Sequence, residues 1–166
     1  MPRTRTIPDA DIFAAILRLL SEGGDKAVSF GSVGKATGLA PPTLVQRYGN
    51  RDAMVRAARL AAWDELERRT GAAIAASADK GPQGLLKAIG PVDPAATLAD
   101  LRDPELTARA ASWRMGVETA LALRLGSGQK AREGAAILFA AWQGQALWSG
   151  TGNSGFRLKD AVKRLT

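Results

Sequence analysis

Thr43, Gln46 and Arg47 stand within one stretch of five residues, and each carries a group able to meet the edge of a base pair. A primary amide makes two hydrogen bonds to adenine and a guanidinium makes two to guanine. A threonine offers its hydroxyl to a phosphate or its methyl to a thymine. These groups can read bases only if a helix holds them outward in a groove wide enough to admit it. The neighbouring residues provide such a helix. Pro41-Pro42 open it where a missing amide costs least, and Gly49 breaks it after Tyr48. Upstream, Ser29 is a plausible N-cap for a first short helix that buries Phe30, Val33 and Ala36. Gly38 then ends that helix in a left-handed turn plugged from below by Leu39. Two short helices joined by a glycine turn form the helix-turn-helix geometry, which lays its second helix in the major groove.

Two absences narrow the chemistry. The chain has no Cys and no His, which excludes thiol nucleophiles, imidazole acid/base catalysis, disulfides and Cys- or His-based metal sites. Asp64, Glu65 and Glu118 pair at no telling spacing and read as helix-surface charge. No catalytic residue, metal or cofactor is expected, and the chain is not read as an enzyme. Its net charge is +7, which favours polyanionic partners, nucleic acid first among them.

Helix-forming Ala, Leu and Arg recur in the 166 residues while aromatics make up 5%, so an all-α fold is expected. Ile12, Phe13, Ile16, Leu17 and Leu20 share one helix face over 9–22, closed by Gly23-Gly24. Asn50 caps a long fourth helix running to about Ser77. Short helical pieces should fill 82–102. Two long helices follow, from Pro104 to Leu125 and from Gln129 to about Ser149, with Gly126-Ser127-Gly128 turning the chain between them. They should pack antiparallel, and a short terminal helix covers 156–165. Two domains are expected. Residues 1–56 form a three-helix helix-turn-helix domain. Helix 4 joins it to a helical-bundle dimerisation domain at 57–166.

The order of a first helix, then VSFGSVGKATGLAPPTLVQRYGNRDAMVRAA, then one long helix resembles the N-terminal domain of the TetR family of regulators, over residues 9–58 and most densely over 28–56. The resemblance implies a homodimer that binds a palindromic double-stranded DNA operator, most often as a repressor, relieved by a small-molecule inducer. It points to Ser29 as a phosphate contact and to Ala40, Pro42, Thr43, Val45, Gln46 and Arg47 around the recognition helix. Arg51 matches the family's phosphate-gripping basic residue, and Tyr48 matches an aromatic that packs between helices. The chain departs from the pattern at Val45, where Tyr is usual, and at Ala40, where Ser or Thr caps the helix. Gly31 and Gly34 loosen the second helix, although Gly34 would also permit close helix approach.

In the second domain Trp63 and Trp113 are assigned to a pocket for an apolar or flat aromatic inducer. Leu121, Leu138, Phe139, Trp142 and Trp148 are assigned to the face between two copies. Gly150-Thr151-Gly152-Asn153-Ser154-Gly155 matches a dinucleotide fingerprint in letters only, because a helix rather than a strand precedes it. Arg3 and Arg5 suit an arm reaching DNA or a frayed end. No targeting segment or membrane span is expected, and a cytoplasmic location follows. The competing reading is a helical ligand-binding or interaction module whose helix-turn-helix has lapsed and reads no sequence.

Overall fold

The helix boundaries fall where the capping residues stand. The computed structural model describes residues 7–152, 155 and 157–165, so Arg3, Arg5, Asn153 and Ser154 lie outside the described residues. The described residues form helices and turns with no strand, the all-α architecture that the composition predicts. They divide into two compact units, Met1–Glu65 and Leu66–Thr166. The division falls inside the fourth helix, whereas the sequence reading set it at 56/57.

The first unit holds α1 (Asp9–Gly23), a 3-10 turn (Asp25–Ala27), α2 (Phe30–Thr37), α3 (Pro41–Tyr48) and the first part of α4 (Arg51–Ala76). Ser29 caps α2 through a reciprocal pair. Its hydroxyl accepts from the Ser32 amide at 3.0 Å, and the Ser32 hydroxyl accepts from the Ser29 amide at 2.8 Å. Serine thus takes the place of the usual glutamate or glutamine in this motif. Gly38 ends α2 in the left-handed conformation at φ 77°. Asn50 caps α4 by accepting from the Ala53 amide at 2.8 Å. One apolar cluster holds the unit together, formed by Ile12, Ile16, Val28, Val33, Leu44, Met54, Val55 and Ala58, with Phe30, Leu39 and Tyr48 packed on it.

The second unit contains the rest of α4, α5 (Pro82–Ile89), α6 (Pro94–Asp100), α7 (Pro104–Leu125), α8 (Gly128–Leu147) and α9 (Leu158–Leu165). The proline-broken region resolves into the two short helices α5 and α6. Asp103 caps α7 by accepting from the amides of Glu105 and Leu106. Leu85, Leu86, Ile89, Leu106, Val117, Leu121 and Leu138 form its interior. Arg124 ties α7 to the end of α4 by donating to the carbonyls of Ile74 and Ser77. No helix among the described residues is long and apolar enough to cross a membrane.

Gly34 fixes the approach of α2 to the turn. A Cβ there would lie 2.6 Å from the Leu39 carbonyl oxygen, a backbone atom that cannot swing aside. At Gly31 a Cβ would meet only the Ser29 hydroxyl at 3.7 Å, an ordinary contact. The two glycines therefore separate under the same change. Gly34→Ala should lower stability by about 1–3 kcal/mol through overpacking. Gly31→Ala should raise it by up to about 1 kcal/mol through helix propensity. Thermal unfolding of the two variants checks the signs.

Candidate nucleic-acid interface

α3 has a single buried side chain, Leu44, with none of its surface exposed. Leu44 sits in the cluster with Ile12, Ile16, Val33 and Met54, and this contact decides which way the rest of α3 faces. Successive helix residues turn by about 100°. Pro42 and Gln46 therefore lie roughly 160° from Leu44, on the outward ridge, with Thr43 and Val45 about 100° to either side. All four are exposed, as is Ala40 at the N-cap position, which makes no side-chain capping bond. Because Pro41 and Pro42 carry no N–H, the opening of α3 offers few backbone donors, and its side chains must do any reading.

Arg47 is placed differently. It stands only about 60° round from Leu44, on the shoulder that faces the start of α1. Its Nη1 donates to the Ile7 carbonyl at 3.1 Å and to Asp9 Oδ1 at 3.2 Å. The Tyr48 hydroxyl donates to the same carboxylate oxygen at 2.6 Å, and the Tyr48 ring lies against Phe13, with ring centroids 6.1 Å apart. The sequence reading grouped Arg47 with Thr43 and Gln46 as the exposed polar set of α3; Arg47 is exposed, and its guanidinium is turned toward α1. The guanidinium is turned onto its own protein because a carboxylate and a carbonyl wait within reach.

Arg51 is also engaged internally. Its Nε donates to the Val28 carbonyl at 2.7 Å and its Nη1 to Asp52 at 3.0 Å. Its Nη2 meets the Asp25 backbone carbonyl and, at 2.9 Å, the Asp25 carboxylate. The bond to Asp25, aided by the charges of Asp25 and Asp52, holds its pKa above the ordinary arginine value against the opposing effect of burial. Arg51 clamps the start of α4 to the 3-10 turn ahead of α2. Ser29 stands exposed at the start of α2, its hydroxyl already used as the cap. Lys35 on α2 and Lys26 on the turn are exposed cations beside this surface. The sequence reading passed over both, although Lys35 lies about 160° from the buried Val33, on the outer side of α2.

In the second unit Trp113 is buried, its indole nitrogen donating to Thr70 Oγ1 at 2.9 Å. It packs edge-on to Phe139 at 5.7 Å and near Trp142 at 6.3 Å, with Phe139 and Trp142 5.9 Å apart. Leu121, Leu138 and Trp142 are interior residues and Phe139 is half-buried among these rings. Four of the five residues assigned to the face between copies therefore belong to the unit's own packing. Trp148 alone faces outward, 63% exposed. With it stand Met115, Leu123, Ile137 and Leu147, all exposed on α7 and α8 and all missed by the sequence reading. Trp63 is buried on α4 in the first unit. Among the described residues no cluster of three or more potential metal ligands occurs.

No family model matches the sequence, and no curated protein is significantly similar to it. Solved structures are similar along almost the whole chain. The multidrug binding protein EbrR, in complex with malachite green, is 22% identical with a TM-score of 0.66, covering 98% of this chain and 96% of its own. EbrR complexed with imidazole gives 19% identity and a TM-score of 0.62, covering 96% and 93%. SCO7518 from Streptomyces coelicolor A3(2), assigned as a transcriptional regulator, gives 15% identity and 0.62, covering 94% of each chain. The chain shares the all-α fold of these proteins.

Tyr48, the single tyrosine, reports on the contact with α1. Burial first, then the hydrogen bond to Asp9 and the charge of Asp9, push its pKa from 10.0 up to about 12. The neutral phenol is the form that the folded chain favours. The stability it contributes is therefore complete below about pH 10 and is lost as pH rises to about 12. Ultraviolet absorbance should show tyrosinate forming near pH 12 in the parent and closer to 10 in Asp9→Ala. Ionisation near 10 in both would contradict the contact.

Proposed function

We propose that this chain is a TetR-type transcriptional regulator acting in the cytoplasm. It binds a palindromic duplex operator as a homodimer and represses until a small ligand releases it. One observation carries the reading: α3 is pinned by Leu44 and presents Pro42, Gln46, Thr43 and Val45 outward, as a helix entering a major groove must. Ser29, Lys26 and Lys35 would meet phosphates, which position a protein on DNA without specifying sequence. The +7 net charge supports association with a polyanion.

The second copy would cover the outer sides of α7 and α8. Met115, Leu123, Ile137, Leu147 and Trp148 are exposed there, and the neighbouring Ala140 and Gly144 are small enough to let helices approach. A flat aromatic ligand would be held against the Trp113, Phe139 and Trp142 rings, whose faces and edges suit stacking. EbrR, similar in fold, was solved with malachite green. The buried Gln143 Nε2 has no hydrogen-bond partner and would donate to a polar group on that ligand.

A second reading draws on Arg47 and Arg51. With both guanidiniums engaged inside the protein, the chain would be a helical binding module that reads no sequence. Selection of bound duplexes from a random pool separates the two. The regulator reading predicts an enriched inverted repeat with half-sites about one helical turn, or a multiple of it, apart. It also predicts that Gln46→Ala weakens operator binding by at least about tenfold, as loss of a bidentate base contact does. Ile137→Glu should give monomers by light scattering and bind the repeat poorly. Retention without an enriched motif would favour the second reading.

A further inference from the structure

On the reading that α3 enters the major groove, we propose that Asp9 is a specificity-determining residue. By holding Arg47 on the shoulder of α3, it leaves the reading edge uncharged, so that each half-site is selected for A·T pairs. Gln46 lies roughly opposite the buried Leu44, while Arg47 lies on the side of α3 that leans toward α1. An arginine there can reach either a base edge or the first turn of α1, and Asp9 determines which. One Asp9 oxygen accepts from both Arg47 and Tyr48, and Arg47 also has the Ile7 carbonyl.

An exposed ion pair alone holds a side chain weakly. Here the pair is reinforced by the carbonyl and by the neighbouring phenol, and Arg47 keeps only 30% of its side-chain surface. The groups left on the edge are an amide, a threonine and a valine. Gln46 pairs with adenine through N6 and N7, and the methyls of Val45 and Thr43 suit the thymine C5-methyl. None of the three has the forked pair of donors that makes arginine the common reader of guanine. Asp9 touches no base. It acts through Arg47, as a positioning residue.

The test compares motifs selected from random duplexes by the parent, Asp9→Ala, Arg47→Ala and the double variant, with Asp9→Asn as a milder change should Asp9→Ala fold poorly by circular dichroism. Four results together support the proposal. The parent selects A·T pairs at the positions read by α3. Arg47→Ala keeps that motif. Asp9→Ala, or Asp9→Asn in its place, gains a guanine preference of about three- to tenfold at one position per half-site. The double variant loses the gain. Asp9→Glu should restore the parental motif, which a merely structural role for Asp9 would not require.

A parent that already demands guanine at a position lost in Arg47→Ala overturns the proposal while leaving the regulator reading intact. A folded Asp9 variant with an unchanged motif does the same. Absence of any motif from the parent overturns both.

Discussion

A helix of two turns cannot orient itself, and α3 is oriented by one leucine. Leu44 is its only fully buried residue, and the hydrophobic gain from burying it, on the order of 1.5–3 kcal/mol, is tied to a single rotational setting of the helix. Once Leu44 enters the pocket formed by Ile12, Ile16, Val33 and Met54, Gln46 must face out and Arg47 must face α1. Gly34 sets the remaining degree of freedom. It lets the Leu39 carbonyl approach α2 to a distance that any side chain would forbid, so the turn between the two helices stays tight.

The charges around this core are arranged to brace it. Arg51 joins α4 to the turn before α2, and Arg47 joins α3 to α1, so two arginines of the region link its elements. On the proposed function, attraction to a polyanion would fall to the exposed lysines and the overall positive charge, and discrimination to neutral hydrogen bonding and methyl contacts.

Much of this was legible in the residues. Ser29, Gly38, Pro41-Pro42, Gly49, Asn50, Asp103 and Pro104 mark helix ends through local rules that need no tertiary context, and the structure places α1 to α4 and α7 where they indicate. At Gly34 the sequence allowed either a loosened helix or a close helix approach, and the structure brings the Leu39 carbonyl of the turn against it. Partners distant in sequence were not legible. Asp9 and Asp25 lie 38 and 26 residues from their partners, and nothing local shows that folding brings them to Arg47 and Arg51. The α7–α8 pair was misjudged for another reason. α8 is apolar around most of its circumference, with Ile137, Leu138, Phe139 and Trp142 close together, so periodicity cannot tell the inner side from the outer. Only packing puts Leu138 and Trp142 inside and leaves Ile137 and Trp148 exposed.

The central claim is that residue 46, opposite Leu44, is the point of α3 nearest the bases, and the absence of native cysteine makes it directly measurable. A thiol introduced as Gln46→Cys can carry a photo-crosslinker to a selected duplex, with Lys87→Cys, exposed on α5, as the reference position. The account predicts crosslinks from residue 46 to major-groove bases at one position in each half-site and none from residue 87. Crosslinking from residue 46 no stronger than from residue 87, or scattered along the duplex without preference, would contradict it.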